Sequence, residues 1–249
     1  DIIPNGTGDI NLGADTVMVG DNNANATITT QGTGDLILNT NSGSSSGSIT
    51  IADGSNGNIN IAPNGTGVVQ AGGSAVKVAG KETIWVPATA MYANTTNGCS
   101  ALSQVELSNG PEIKVLDFDA SSDENAQFSV AFPKSWNEGT VTFQAFFTVT
   151  GTNTGTVAWG LSGVAIADDG SCNTAFGTNV VATAKAHSGT SNDLNVSDES
   201  GNVTIAGSPS TDELVFFQVM RDVSADNQSG DARLLGIKLF FTTDAKNDA

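Results

Sequence analysis

A chain of 249 residues with 9 Lys and Arg against 26 Asp and Glu carries a formal net charge of −17. That balance argues against a nucleic-acid ligand, whose affinity comes from clustered cations on the phosphate backbone, and against an anionic membrane surface. No run approaches the roughly 20 apolar residues a membrane helix needs, and no basic-then-apolar leader opens the sequence. We therefore expect neither nucleic acid nor membrane insertion.

The composition divides the chain. Residues 1–84 hold no Phe, Tyr or Trp and no Lys or Arg before Lys77, whereas all 3 Trp, all 11 Phe and the single Tyr follow from Trp85 onward. The expected division is 1–80 and 81–249. In the first part "PNGTGDINL" at Pro4 returns as "QGTGDLILN" at Gln31 and "PNGTGVVQA" at Pro63. Between these turns sit pairs of small aliphatic residues at period 2: Ile10 and Leu12, Val17 and Val19, the run around Ile28, then Leu36 and Leu38. Ile49 and Ile51, Ile59 and Ile61, Val68, and Val76 with Val78 complete the series. Gly and Asn between the runs accept positive φ at little cost, so the spacing predicts very short strands joined by tight turns.

Two aliphatic side chains per strand bury too little area to offset the entropy of ordering so many Gly and Asn within one chain. Three arrangements fit: a stalk in which identical chains share a core, usually with three-fold closure, a single-chain β-solenoid, or a flexible linker. The strict alternation favours the stalk, and a chain that opens inside a repeat offers no localisation signal at that end.

From Trp85 the strands lengthen and gain aromatics. "VTFQAFFTV" puts Val141, Phe143, Ala145, Phe147 and Val149 on one face, and "LVFFQVMR" sets Val215, Phe217 and Val219 against Leu214, Phe216 and Gln218. About ten such runs with turns between them predict an antiparallel two-sheet sandwich of jelly-roll type. Only the stretch from Asn173 has room for a helical turn. The expected fold is all-β: a short-strand repetitive stalk followed by a jelly-roll-like head.

Residues that carry chemistry are few. The lone His187 has no nucleophile elbow to serve and is expected on an exposed loop. One His and two distant cysteines, Cys99 and Cys172, make no zinc set; a disulfide and two free thiols both remain open for the pair. Asp117, Asp119 and Asp123 beside Glu124, and Asp168 with Asp169, are candidate calcium ligands because hard cations want clustered oxygens. Neither group matches the EF-hand pattern, and solvated turns at strand ends account for both. A glycosidase needs two carboxylates about 5 Å, or about 6.5–9.5 Å, apart across a cleft, which an acidic sequence neither supports nor rules out. Aromatic platforms for sugar are limited to Trp85, Tyr92, Trp136 and Trp159. Trp159 alternates with apolar neighbours and is expected in the core, whereas Trp136 in "PKSWNEG" is the candidate surface aromatic for receptor binding.

"ETIWVPATAM", "FPKSWNEGTVTFQAFFT", "VAWGLSGVAIADD", "ELVFFQVMRDVSAD" and "ARLLGIKLFFTTDA" together resemble the C-terminal region of virion structural proteins of marine bacteriophages, of the tail-fibre type. The resemblance spans nearly all of residues 85–249, and the "NGTGDINL" repeats are similar to those that precede such heads. It implies a virion appendage with a β-rich stalk and a globular tip, and it transfers no catalytic or receptor-binding residue. The expectation is a homotrimeric, non-enzymatic attachment protein of an extracellular particle made in the host cytoplasm. It needs no cofactor, and its partners are other virion proteins and a host glycan or outer-membrane protein. A purely structural capsid fibre, decoration or filament subunit is the alternative, and a polysaccharide-degrading tail spike a further one.

Overall fold

The computed structural model describes residues 13, 16, 17, 19, 25, 27–30, 32–40, 43–76 and 79–244. The expected strand at Ile10 and Leu12 and the position of Val78 lie outside them, and the run at Val17 and Val19 is described only in part. Residues 27–30 form no strand. The chain forms two compact units, Asp1–Val76 and Lys77–Ala249.

In the first unit, β1 (Leu36–Asn39), β2 (Ser48–Ile51) and β3 (Ile59–Ala62) make one antiparallel sheet in the order β1-β2-β3. The three aliphatic pairs read from the sequence therefore meet one another within a single chain. Leu36, Ile51 and Ile59 stand in one cross-strand row and Leu38, Ile49 and Ile61 in the next, all on one face. Among the described residues no second sheet covers that face, and Ile49 is 40% and Ile59 70% exposed. The pairing expected at Val68 starts two residues later, where β4 (Gln70–Ala71) and β5 (Ser74–Ala75) form a minimal hairpin.

The second unit begins with β6 (Gly80–Pro87), β7 (Tyr92–Ala93), β8 (Ser103–Val105) and β9 (Ile113–Phe118). β10 (Glu124–Ala131), β11 (Thr142–Val149), β12 (Thr156–Val157) and β13 (Trp159–Ile166) follow. Then come the short β14 (Val180–Val181), β15 (Lys185–Ala186), β16 (Asn195–Val196) and β17 (Ile205–Ala206), and last β18 (Leu214–Arg221) and β19 (Ala232–Thr243). One sheet has the order β14-β13-β18-β10-β7 with β17 beside β13; the other has the order β16-β11-β19-β9-β8 with β6 beside β19. Strands β9, β10, β11 and β13 enter the two sheets alternately, as do β18 and β19 at the other end of the unit. Four strands, β9-β19-β11-β16, thus oppose four, β14-β13-β18-β10, which is the jelly-roll pattern.

The stretch from Asn173 stays extended through β14 and β15 instead of turning helical, as its β-branched Val180 and Val181 and its Gly177 favour. No helix among the described residues is long and apolar enough to cross a membrane.

Period 2 explains the core. Phe143, Ala145, Phe147 and Val149 on β11, and Val215, Phe217 and Val219 on β18, are fully buried, each as the alternating member of its strand. β19 would lose that alternation over its length, but a bulge at Leu235 intervenes, since Phe146 pairs with Gly236 while Phe147 pairs with Leu234. The extra residue lets Ala232 and Leu234 point inward before it and Ile237, Leu239 and Phe241 after it. Trp159 of one sheet meets Phe118 and Phe147 of the other edge-on and tilted, with ring centroids 5.0 and 5.7 Å apart.

One charge lies inside this core. Arg221, 0% exposed at the end of β18, pairs with Asp226, whose side chain is 2% exposed. Its Nε donates to Asp226 Oδ2 at 2.8 Å and its Nη2 to Gln228 O at 2.8 Å. Nη1 donates to Gly230 O at 2.9 Å and, across the sandwich, to Phe118 O at 3.0 Å on β9. A buried guanidinium is tolerated only when paired and fully hydrogen-bonded, and removing one partner of such a pair costs about 3–5 kcal/mol. Asp226→Asn is therefore expected to lower the stability of the second unit by about 3–5 kcal/mol. The check is urea unfolding followed by tryptophan emission, for which all 3 Trp lie in this unit.

Candidate functional site

Because β7, β10, β18 and β13 turn one face to the core, every second residue faces out. The outward row nearest β7 runs Tyr92, Gln127, Gln218, Ser162, and the next runs Ser129, Phe216, Val164. After β13 the chain folds back along the sheet edge: Gly177 N donates to Gly163 O at 3.0 Å, and the residues before it raise a wall that carries Cys172, Thr174 and Phe176. Between that wall and Tyr92, over Gln127 and Phe216, lies a pocket of about 250 Å³.

A second recess of about 240 Å³ adjoins it, bounded by Tyr92, Gln127 and the segment from Ala93 to Thr96. That segment is held tightly. Asn94 N donates to Asn125 O, and Asn125 N to Asn97 O, while Gly98 passes so close to Asn94 O that a Cβ there would come within 1.9 Å of it. Gly98 is thus required by the close approach that sets the recess. The two spaces share Tyr92 and Gln127 and meet along that pair.

The lining is aromatic and amide. Tyr92 is 52% exposed, and Phe216 and Phe176 are half-buried. Gln218 Oε1 accepts from Asn94 Nδ2 at 2.8 Å and from Gln127 Nε2 at 3.3 Å. Of this ladder Asn94 and Gln127 line the recesses, and the buried Asn94 Oδ1 has no hydrogen-bond partner among the described residues. Ring faces flanked by uncharged donors and acceptors suit a neutral polyol, which has apolar C–H faces and hydroxyl edges. No carboxylate lines either recess among the described residues.

The calcium candidates are engaged otherwise. Asp117, half-buried on β9, accepts from Arg233 Nε at 3.1 Å; burial raises its pKa and the Arg233 charge opposes the rise. Asp119 Oδ1 caps a turn through the Ser121 N–H and hydroxyl, both at 2.5 Å, which lowers its pKa. Asp123 Oδ1 accepts from Val223 N at 2.9 Å. Asp168 and Asp169 are exposed on a turn where Asp169 has φ 58°. Among the described residues no three acidic, His or Cys side chains converge as a metal set would.

Two expectations are corrected. Trp136 is not a surface aromatic: it is 1% exposed, stacked on Phe132 with centroids 4.1 Å apart, and its strand position bridges to Thr243 at the end of β19. His187 is not on an exposed loop. It is 3% exposed, with Nδ1 2.8 Å from Asn153 O and Nε2 3.0 Å from Thr190 O, and it pins two loops together. The groove residues Asn94, Gln127 and Phe216 were not foreseen as a site. Their only signal in the sequence is an aromatic or amide at the outward position of a strand.

No family model and no curated protein matches this chain. Among solved structures it is similar to the CBM36-1 domain of a multidomain xylanase from the hindgut metagenome of Trinervitermes trinervoides, at 13% identity and a TM-score of 0.35, covering 64% of this chain and 96% of that one. It is also similar to a family 11 carbohydrate-binding module of Clostridium thermocellum in complex with a β-1,3-1,4-mixed-linked tetrasaccharide (10% identity, TM-score 0.33, 66% and 89% covered). A third is a carbohydrate-binding module specific for non-crystalline cellulose, CBM28 (13% identity, TM-score 0.33, 65% and 88% covered).

Both cysteines are free, Cys172 exposed at the groove wall and Cys99 buried. Burial, aided by the charge of Glu124, pushes the Cys99 thiol up to about 12, so its nucleophilic thiolate is scarce at ordinary pH. A thiol-reactive dye at pH 8 is expected to label Cys172 alone in the native protein, and to label Cys99 only after denaturant is added; peptide mapping of the labelled protein checks this.

Proposed function

We propose that this protein is a non-enzymatic adhesin of a phage-type virion appendage, and that its jelly-roll head binds a neutral glycan in the groove between Tyr92 and the Cys172–Phe176 wall. The groove's chemistry is the observation that carries the reading: exposed and half-exposed rings beside an amide ladder, with no carboxylate among its described lining residues. At about 250 and 240 Å³ the recesses are smaller than the roughly 300–1,000 Å³ of pockets that engulf a ligand. Each site holds its sugar shallowly, and display of several copies supplies the avidity.

Tyr92→Ala and Gln127→Ala are expected each to weaken binding of a neutral oligosaccharide by about 1–3 kcal/mol, from lost stacking and a lost amide hydrogen bond. The same ligand is expected to shield Cys172 from the thiol dye. A glycan array read with the wild-type chain, followed by calorimetry on the best ligand, checks both. An array with no hits overturns the glycan reading in favour of a purely structural virion subunit.

The first unit provides the multiplicity. Its two rows of Leu and Ile are uncharged and exposed, and an apolar groove of about 410 Å³ runs over Leu38, Ile49, Ile61 and Val68. A face without charge lets identical copies meet without desolvating an ion, and its apolar burial has to outweigh the mutual repulsion of chains of net charge −17. We assign it to a homotrimeric stalk. Light scattering is expected to give three times the 25.2 kDa chain, and Ile49→Asp with Ile61→Asp is expected to return it to one. A wild-type monomer overturns the stalk and leaves the groove untouched.

A further inference from the structure

The opposite sheet carries a second, chemically different surface, on the outer face of β11, β19 and β6. Trp85 on β6 is 49% exposed. Its indole lies over Gly236 of β19, where a Cβ would come within 2.6 Å of the ring carbons, and it meets Phe146 of β11 edge-on at 5.1 Å. Gly236 is thus what makes room for the ring against the sheet, and about half of Trp85 stays open to solvent. Lys238 stands directly across the ladder from Trp85. Its Nζ is 5.1 Å from the centroid of Phe240, and the Nζ of Lys81 is 5.3 Å from the same ring. Lys81 is also bonded to Glu199, which the Thr142 hydroxyl reaches as well, and these two bonds lower the Glu199 pKa. Lys81 and Glu199 therefore neutralise each other, whereas Lys238 has no carboxylate within ion-pair distance among the described residues.

On a chain with 9 cationic side chains against 26 acidic ones, an ammonium group beside a half-exposed indole selects for a ligand with one apolar face and one negative charge. The geometry points to a carboxylated sugar, a uronic or sialic acid residue, whose C–H face stacks on Trp85 while its carboxylate pairs with Lys238. A protein partner fits less well. Three rings of about 150–250 Å² each, at half exposure or less, offer at most about 400 Å² of apolar area, short of the roughly 800 Å² per partner in a stable interface. The ladder positions opposite Lys238 and Phe240 include Gln144, Thr142 and Thr83, which are polar and suited to sugar hydroxyls. This site is independent of the Tyr92 groove, which lies on the other sheet and has no cation among its described lining residues.

The test titrates the full chain with trigalacturonate, a mannuronate trimer and 3′-sialyllactose, with carboxyl-reduced trigalacturonate as the neutral control. Binding is read from tryptophan emission, which reports on Trp85 because Trp136 and Trp159 are buried. At least one acidic sugar is expected to shift the emission while the neutral control does not. Lys238→Gln is expected to weaken that binding by at least about ten-fold, with Lys238→Arg restoring most of it. Trp85→Ala, followed by calorimetry, is expected to remove binding, while Tyr92→Ala leaves it unchanged. Lys238 is half-buried at the surface, so its variant keeps the fold even if the loss of Trp85 does not. The proposal is overturned if none of the three acidic sugars binds, if the carboxyl-reduced form binds equally well, or if Tyr92→Ala rather than Lys238→Gln abolishes binding. Failure of the groove reading leaves all these outcomes unaltered.

Discussion

Arg221 is the point on which the second unit turns. Its guanidinium reaches from β18 in one sheet to the Phe118 carbonyl in the other, and to Asp226, Gln228 and Gly230 in the loop between β18 and β19. Gln228 then donates to Asn153 O at 2.9 Å, and His187 contacts the same carbonyl. A single buried cation thus gathers three loops that otherwise hold little apolar surface. Burying it is costly unless every N–H is used, which explains why the main-chain carbonyls around it converge as they do. The rest of the sandwich is held by non-directional burial of Phe, Val and Leu; this cluster adds direction, fixing how the two sheets meet at one end.

With that end fixed, the two outer faces of the sandwich are free to differ. The face over β7, β10 and β18 is shaped by the chain that returns past β13, which adds a wall and turns a flat sheet into a groove lined by rings and amides. The face over β6, β19 and β11 stays open, and a glycine at position 236 lowers its floor so that Trp85 lies on it. Both arise from one rule: a residue at the outward phase of a strand is released from core packing, and its neighbours across the ladder decide what chemistry it joins.

The first unit obeys the same period with an opposite result. Its strands are four residues long, and each places two aliphatic side chains on one face. Among the described residues that face has no second sheet packed on it, whereas the second unit closes sheet upon sheet. An apolar face without a second layer is marginal in water, and it is the strongest physical reason to look for further copies of the chain.

Alternation in the sequence determined which residues would be core, because one face of each strand must be apolar wherever two sheets pack. Val141 and the alternate residues Phe143 to Val149 of β11, and Val215 to Val219 on β18, were legible for that reason, as was Trp159 among its apolar neighbours. The all-β class and the jelly roll followed from strand number and length. The fate of residues outside that alternation was decided only by tertiary structure. Trp136 follows a proline and precedes a turn, yet it stacks on Phe132 beside the end of β19, and His187 looked like an exposed loop residue until the Asn153 carbonyl of another loop and the nearby Thr190 carbonyl enclosed it. The carboxylates of Asp117, Asp119 and Asp123 read as one cluster along the chain, but the fold turns them to three different partners. Neither the groove nor the Trp85 surface is contiguous in sequence: each joins residues from strands far apart along the chain. Period 2 tells which way a side chain points, while register and the return of the chain tell what it meets.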